Sequence, residues 1–104
     1  MKIAYFYITE QGRHLAEQLN ENMPGALFGK ESLKENMKKA FHEYDGLVCI
    51  MATGIVVRIL APLFVHKRED PAVVVMDAKG KYAISLLSGH LGGANELAEK
   101  KISF

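Results

Sequence analysis

The chain has 104 residues, enough for one small domain that buries roughly two-thirds of its unfolded surface on folding. Hydrophobic residues make up 49%, which excludes a disordered chain. With 13 Lys+Arg against 12 Asp+Glu the net charge is +1, which gives no electrostatic case for nucleic acid or an anionic membrane as partner. The single cysteine, Cys49, lies in an apolar run and reads as a small buried hydrophobe; the lack of a pair fits a reducing, cytoplasmic setting. The apolar start, Met1 to Ile8, is too short for a signal peptide and has no cleavage site, and no segment is long enough to span a bilayer.

Strands and helices alternate along the chain. Ile3 to Ile8, rich in β-branched and aromatic residues, reads as the first strand. Glu10 to Asn22 follows as a helix, with Leu15, Ala16, Leu19 and Met23 along one face, until Pro24-Gly25 breaks it. Ala26 to Phe28 is a short second strand. Ser32-Leu33-Lys34-Glu35 has the form of a capping box, and Leu33, Met37, Phe41 and Tyr44 line the helix behind it. After the Asp45-Gly46 turn, Leu47 to Met51 is apolar at every position, as a strand buried on both faces is.

Thr53-Gly54 ends that strand. Ile55 to Leu63 reads as a short apolar helix interrupted at Pro62, with Arg58 its one charge. Val65 to Asp70 is polar and expected to be exposed. Ala72 to Met76 is the next buried strand. Asp77 to Gly80 is a hairpin turn with Gly80 left-handed, and Tyr82 to Leu87 returns antiparallel. A glycine loop follows, and then a helix over Ala94 to Lys101. The expected fold is one α/β domain over 1–104: a three-layer open sheet, mainly parallel, with helices on both faces and a C-terminal hairpin strand. A doubly wound fold normally continues beyond such a helix, so the chain reads as a fragment, a natural short form or one half of a split protein.

The run Leu86 to Asn95 carries the most chemistry. It puts a hydroxyl (Ser88), an imidazole (His90), an amide (Asn95) and three glycines (Gly89, Gly92, Gly93) between a strand and a helix start. Free N–H groups at a helix start suit a carboxylate or phosphate, and His90 can move a proton beside it. A loop histidine without a catalytic role fits the composition too, and Asn95 serves equally as a helix cap. Elsewhere, Thr53-Gly54 suits a helix cap and close backbone approach. Arg58 reads either as a fork for a substrate carboxylate or as an ion-pair partner of Asp70 or Asp77. His14, His42 and His66, among polar neighbours, read as surface residues. In open α/β sheets ligands bind beyond the carboxyl ends of strands, where the loops Thr9–Gly12 and Ala52–Gly54 lie. The glycine loop joins them only if the last strand runs parallel. No P-loop, dinucleotide fingerprint, nucleophile elbow or metal-ligand spacing is present.

Met51–Arg58, Ala61-Pro62-Leu63, Asp70–Val75 and Leu86–Ala98, in that order and at suitable spacings, resemble the N-terminal region of cobalamin biosynthesis protein G. That family includes the cobalt-precorrin-5A hydrolases of anaerobic vitamin B12 synthesis. The resemblance implies hydrolytic opening of the δ-lactone of a cobalt corrinoid, release of acetaldehyde and formation of cobalt-precorrin-5B. It implies no resident cofactor or metal site, since the cobalt belongs to the substrate. On this reading His90 activates water and Ser88 assists. Gly89, Gly92, Gly93, Thr53, Gly54 and Asn95 line the substrate, and Arg58 holds one of its acidic arms.

Family members continue into a middle segment and a C-terminal domain that these 104 residues lack. The family is a hydrolase acting on carbon–carbon bonds, yet whether this chain is itself an enzyme stays open. A second copy, or a separate polypeptide carrying the C-terminal domain, is the expected partner beside the corrinoid. Two other readings stand beside catalysis: a non-catalytic tetrapyrrole-binding or assembly domain, and an unrelated phosphate-binding α/β domain.

Overall fold

The computed structural model describes residues 1–64 and 70–88, so the expected helix Ala94–Lys101 and most of the polar segment before Asp70 lie outside the described residues. Within them the chain runs β1 (Ile3–Tyr7), α1 (Glu10–Asn22), β2 (Ala26–Phe28), α2 (Leu33–Glu43), β3 (Gly46–Ile50), α3 (Thr53–Leu60), a 3₁₀ turn (Ala61–Leu63), β4 (Ala72–Met76) and β5 (Ala83–Ser88). One sheet holds the strands in the order β2-β1-β3-β4-β5. The first four are parallel, and β5 runs antiparallel to β4.

Alternation along the strands divides the core into two layers. On one face Ala16 and Leu19 of α1 pack on Ile3, Tyr5, Val48, Ile50, Val74 and Met76. On the other, Met37, Ala40 and Phe41 of α2 and Val56 and Leu60 of α3 pack on Ala4, Phe6, Leu47, Cys49, Val73 and Val75. All five residues of β3 and of β4 are buried, as their unbroken apolar runs require. The three-layer open sheet with its C-terminal hairpin is therefore the observed architecture.

Two contacts fix the framework. At the amino ends, the Lys2 N–H donates to Asp45 Oδ2 at 2.7 Å and Asp45 N–H returns a bond to Lys2 O at 2.8 Å. Asp45 O in turn accepts from Ala72 N–H at 2.9 Å, so one residue fastens the starts of β1, β3 and β4. At the end of α1, the buried Tyr5 hydroxyl donates to Met23 O. The chain then passes close against β1 at Gly25, where an added Cβ would collide with the Ile3 carbonyl oxygen.

Several local expectations are corrected. Ser32 does not cap α2: its φ is 54°, left-handed, and its side chain makes no capping bond. A capping side chain needs an extended backbone to reach the first N–H groups. Thr53 is likewise not a cap; Ala52 holds that position and α3 already includes Thr53. The α-helix stops at Leu60, before Pro62, and the expected helical tail Ala61–Leu63 is 3₁₀. Proline supplies no N–H for the next helical bond. Asp70, expected to be exposed, is buried.

The hairpin holds one irregularity. Val73 faces Leu87 but Val74 faces Ser85, so Leu86 is an extra residue, a β-bulge. The bulge breaks the alternation, and both Leu86 and Leu87 pack against the α2/α3 layer.

Candidate functional site

The register aligns Tyr7, Ile50 and Met76, so β1, β3 and β4 finish at one edge, with the end of β2 beside them. The chain leaves β1 for β2 on one side, while β3 lies on the other. The order of connection reverses there, the position at which open α/β sheets bind ligands.

The first turn of α1 is held tightly against this edge. Thr9 is extended, with φ −102° and ψ 163°, and its hydroxyl accepts from Gly12 N–H at 3.0 Å. A Cβ on the buried Gly12 would stand 3.2 Å from Thr9 Oγ1 and 3.4 Å from both Ile50 Cγ2 and Tyr7 Cβ. Glycine lets the turn sit over the ends of β1 and β3. Beside it opens a cleft of ≈ 590 Å³ lined by Tyr7, Ile8, Thr9, Glu10, Gly29, Lys30 and Glu31. Arg13 donates to Glu10 and holds its carboxyl below the usual range. Sequence reasoning had found the Thr9–Gly12 side of this cleft but not the Gly29–Glu31 side. The signal was there: Gly29-Lys30 directly follows a strand.

The second element of the edge is α3. Thr53 is half-buried at its start, and Gly54 and Arg58 are exposed. Among the described residues Arg58 makes no ion pair. The Asp77 carboxylate proposed for it serves the hairpin turn, accepting from Tyr82 N–H at 2.8 Å and Lys79 N–H at 3.2 Å. Desolvation opposes the Asp77 charge, but these bonds outweigh it and lower its pKa. Gly80 has φ +72°, the left-handed conformation expected of it.

The structure does not bring every candidate to one place. The Ser88 backbone lies opposite Ala72, at the amino end of β4, because β5 is antiparallel. It is one strand length, about 13 Å, from the edge that carries Thr53, Gly54 and Arg58. Gly89, His90, Gly92, Gly93 and Asn95 lie outside the described residues.

Other candidates resolve simply. Cys49 is fully buried, and burial pushes its thiol up to about 12, so it carries no thiolate at neutral pH. His14 is exposed beside Glu10 and Glu17, and His42 is exposed; both are surface residues, and His66 lies outside the described residues. Among the described residues no cluster of His, Cys, Asp or Glu is placed to hold a metal ion, and no helix is long and apolar enough to cross a membrane.

Comparison with known proteins adds to this geometry. Residues 35–103 match the family described as Cobalamin synthesis G N-terminal. The cobalt-precorrin-5A hydrolase of Salmonella typhimurium is 46% identical over 107 aligned residues, covering 91% of this chain and 30% of that protein. The cobalt-precorrin-5A hydrolase of Priestia megaterium is 49% identical over 69 residues, covering 66% of this chain and 18% of that protein. The crystal structure of a cobalamin biosynthesis protein G homologue from Sulfolobus solfataricus has a TM-score of 0.83 and 28% identity, over 96% of this chain and 33% of its own. The chain thus spans about a third or less of the length of these relatives.

Proposed function

This chain belongs to the Cobalamin synthesis G N-terminal family, and on that footing we propose that it works as the amino-terminal part of a cobalt-precorrin-5A hydrolase. The observation that carries the reading is the 46% identity to the Salmonella enzyme across 91% of the chain. The reaction is hydrolytic opening of the substrate lactone with release of acetaldehyde, giving cobalt-precorrin-5B. Cobalt is part of the substrate, no resident cofactor takes part, and the setting is the cytoplasm.

Lactone opening needs an activated water and hydrogen-bond donors where negative charge develops on the carbonyl oxygen. Water adds to the carbonyl carbon and gives up a proton, and the ring oxygen leaves and takes one up. The resulting hydroxyl then loses its proton as its carbon becomes the aldehyde carbonyl. The carbon–carbon bond breaks with its electron pair left on the corrinoid carbon, and that carbon is protonated as acetaldehyde departs. We assign His90 to removing the proton from water, with Ser88 as its hydrogen-bonding partner. The N–H groups of Gly89, Gly92 and Gly93 receive the oxyanion or a peripheral carboxylate, and Asn95 orients His90 or the ligand. At the carboxyl edge of the sheet Thr53 and Gly54 hydrogen-bond the substrate, and Arg58, exposed and without an ion pair among the described residues, holds a carboxylate arm.

One observation favours a second reading. With β5 antiparallel, Ser88 and Thr53 stand at opposite ends of the sheet. The chain would then be a non-catalytic tetrapyrrole-binding or assembly domain, with the chemistry in the remaining portion of the longer enzyme. A second copy or a separate C-terminal polypeptide would complete the site.

An anaerobic incubation of the purified chain with cobalt-precorrin-5A separates the two. Acetaldehyde release with the matching change in corrinoid mass places catalysis in this chain. Bound, unchanged corrinoid supports the binding domain. Absence of corrinoid binding overturns both.

A further inference from the structure

We propose that the outer face of α3 is the surface on which the plane of the corrinoid ring lies, and that residue 54 is glycine to let the ring approach the helix. The inference rests on the corrinoid reading above and adds where that ligand sits.

The exposed faces of the three helices differ. On α1 the exposed positions include Glu10, Gln11, His14 and Glu17; on α2 they include Lys34, Glu35, Lys39 and His42. These are ordinary solvated faces. The exposed positions of α3 and the residue after it are Gly54, Val57, Arg58 and Ala61, spaced i, i+3, i+4 and i+7, one stripe along the helix. Val57 is 39% exposed although the opposite side, Val56 and Leu60, is fully buried. A helix apolar on both sides suits burial on both, yet the sheet covers only one.

Gly54 is the second observation. Among the described residues, apart from its chain neighbours and its own helix backbone, no atom lies within 4 Å of the Cβ that another residue would place there, and the backbone is not left-handed. The described residues therefore impose neither a steric nor a conformational need for glycine, and glycine weakens a helix relative to alanine. Close approach of a ligand supplies the need that packing among the described residues does not.

Charge and position select the occupant. From Met51 to Phe64, Arg58 is the only charged residue, so the surface is apolar with one fixed positive charge. A flat, largely apolar ring carrying carboxylate arms complements both features. The face also starts at the carboxyl end of β3, next to the point where the sheet connections reverse.

The test titrates the 104-residue chain with cobyrinic acid, a cobalt corrinoid with free carboxylates, following the corrin absorption band. Thermal melts and sedimentation are run on the same samples. Gly54→Leu weakens binding tenfold or more and Gly54→Ala about threefold, while both melt at or above the parent temperature. Lys34→Leu, likewise at an exposed position but on α2, binds as the parent does. If Gly54→Leu fails to fold, Val57→Asp gives the same reading through repulsion of the carboxylates. Parent-like binding by the Gly54 variants and Val57→Asp overturns this inference and leaves the corrinoid reading intact. No binding by the parent chain removes the corrinoid reading and this inference with it. A parent dimer that Gly54→Leu dissociates without loss of corrinoid affinity assigns the face to a second copy and overturns the proposal.

Discussion

The hydroxyl of Tyr5, in the middle of β1, donates to the carbonyl oxygen of Met23 at 2.7 Å and so ties that strand to the residue that ends α1. Its ring has no exposed surface. The bond satisfies a carbonyl at a helix end, where helices leave such groups without partners. Tyr5→Phe keeps the ring and removes the donor. We expect a loss of about 1–2 kcal/mol in urea unfolding, with an unchanged sheet signature in circular dichroism. A loss below a few tenths of a kcal/mol would show that the bond contributes nothing.

The same phenol sets an alkaline limit. Burial pushes Tyr5 up to about 12 from 10.0, and Cys49 to about 12 from 9.0. In both cases the folded state keeps its proton at a pH where the unfolded chain has released it. Stability is therefore full below pH 9 and falls as Cys49, and then above pH 10 Tyr5, ionise in the unfolded chain. Each group contributes a slope of about 1.4 kcal/mol per pH unit within its window. Unfolding free energies measured from pH 8 to 11 should bend downward at the first window, and Tyr5→Phe should be shallower above pH 10.

Thr9 and Ser32 stand before helices and behave oppositely. Thr9→Ala removes a bond of 3.0 Å to Gly12 N–H and should cost about 1 kcal/mol. Ser32 makes no such bond and is left-handed, so Ser32→Gly should raise stability by about 0.5–1 kcal/mol. A Ser32→Gly variant less stable than the parent would restore the capping role that the sequence pattern suggested.

Gly25 is constrained by packing. Its neighbours are the Ile3 carbonyl and, at 3.2 Å from an added Cβ, the Tyr5 ring. Gly25→Ala should cost about 1–3 kcal/mol by forcing the loop off β1. Parent-like unfolding would mean that the loop moves away freely.

For the proposed chemistry, His90→Ala should stop acetaldehyde release while the melting temperature stays within a few degrees of the parent. Retained turnover takes His90 out of the mechanism. Arg58→Ala should weaken corrinoid binding about tenfold through loss of a charge-assisted contact. Because Arg58 is exposed, the fold should not respond.

The sheet was readable because its central strands are unbroken apolar runs. Leu47–Met51 and Ala72–Met76 are the short runs that a strand buried on both faces presents, and the three-layer order followed from helices alternating with them. What local pattern did not disclose depends on the third dimension. Nothing in Ser32-Leu33-Lys34-Glu35 reveals that the preceding loop twists Ser32 into a left-handed turn. Asp70 looks polar and exposed in the sequence, yet it is buried just ahead of β4. The bulge at Leu86 depends on register with β4, which no single strand encodes. At the candidate site, Thr9–Gly12 and Thr53–Gly54, at the starts of α1 and α3, were legible because each follows an apolar strand. Gly29–Glu31 was passed over because β2 has only three residues. The direction of β5 fixed Ser88 at the far end of the sheet, a matter of topology rather than of residue type.

The fastening at Asp45 has a mechanical consequence. Sliding β1 along β3 would break the bonds that Lys2 and Asp45 exchange, and moving β3 against β4 would break the one from Ala72. The sheet is thus clamped at one end, like the bound spine of a book. Rearrangement of the start of α1 or of α3 around an arriving molecule would have to break these bonds before strand slippage could relax it. On the proposed reading a corrinoid meets an anvil rather than a cushion there, and hydrogen exchange at Asp45, Gly46 and Ala72 should stay unchanged on binding while the far end slows.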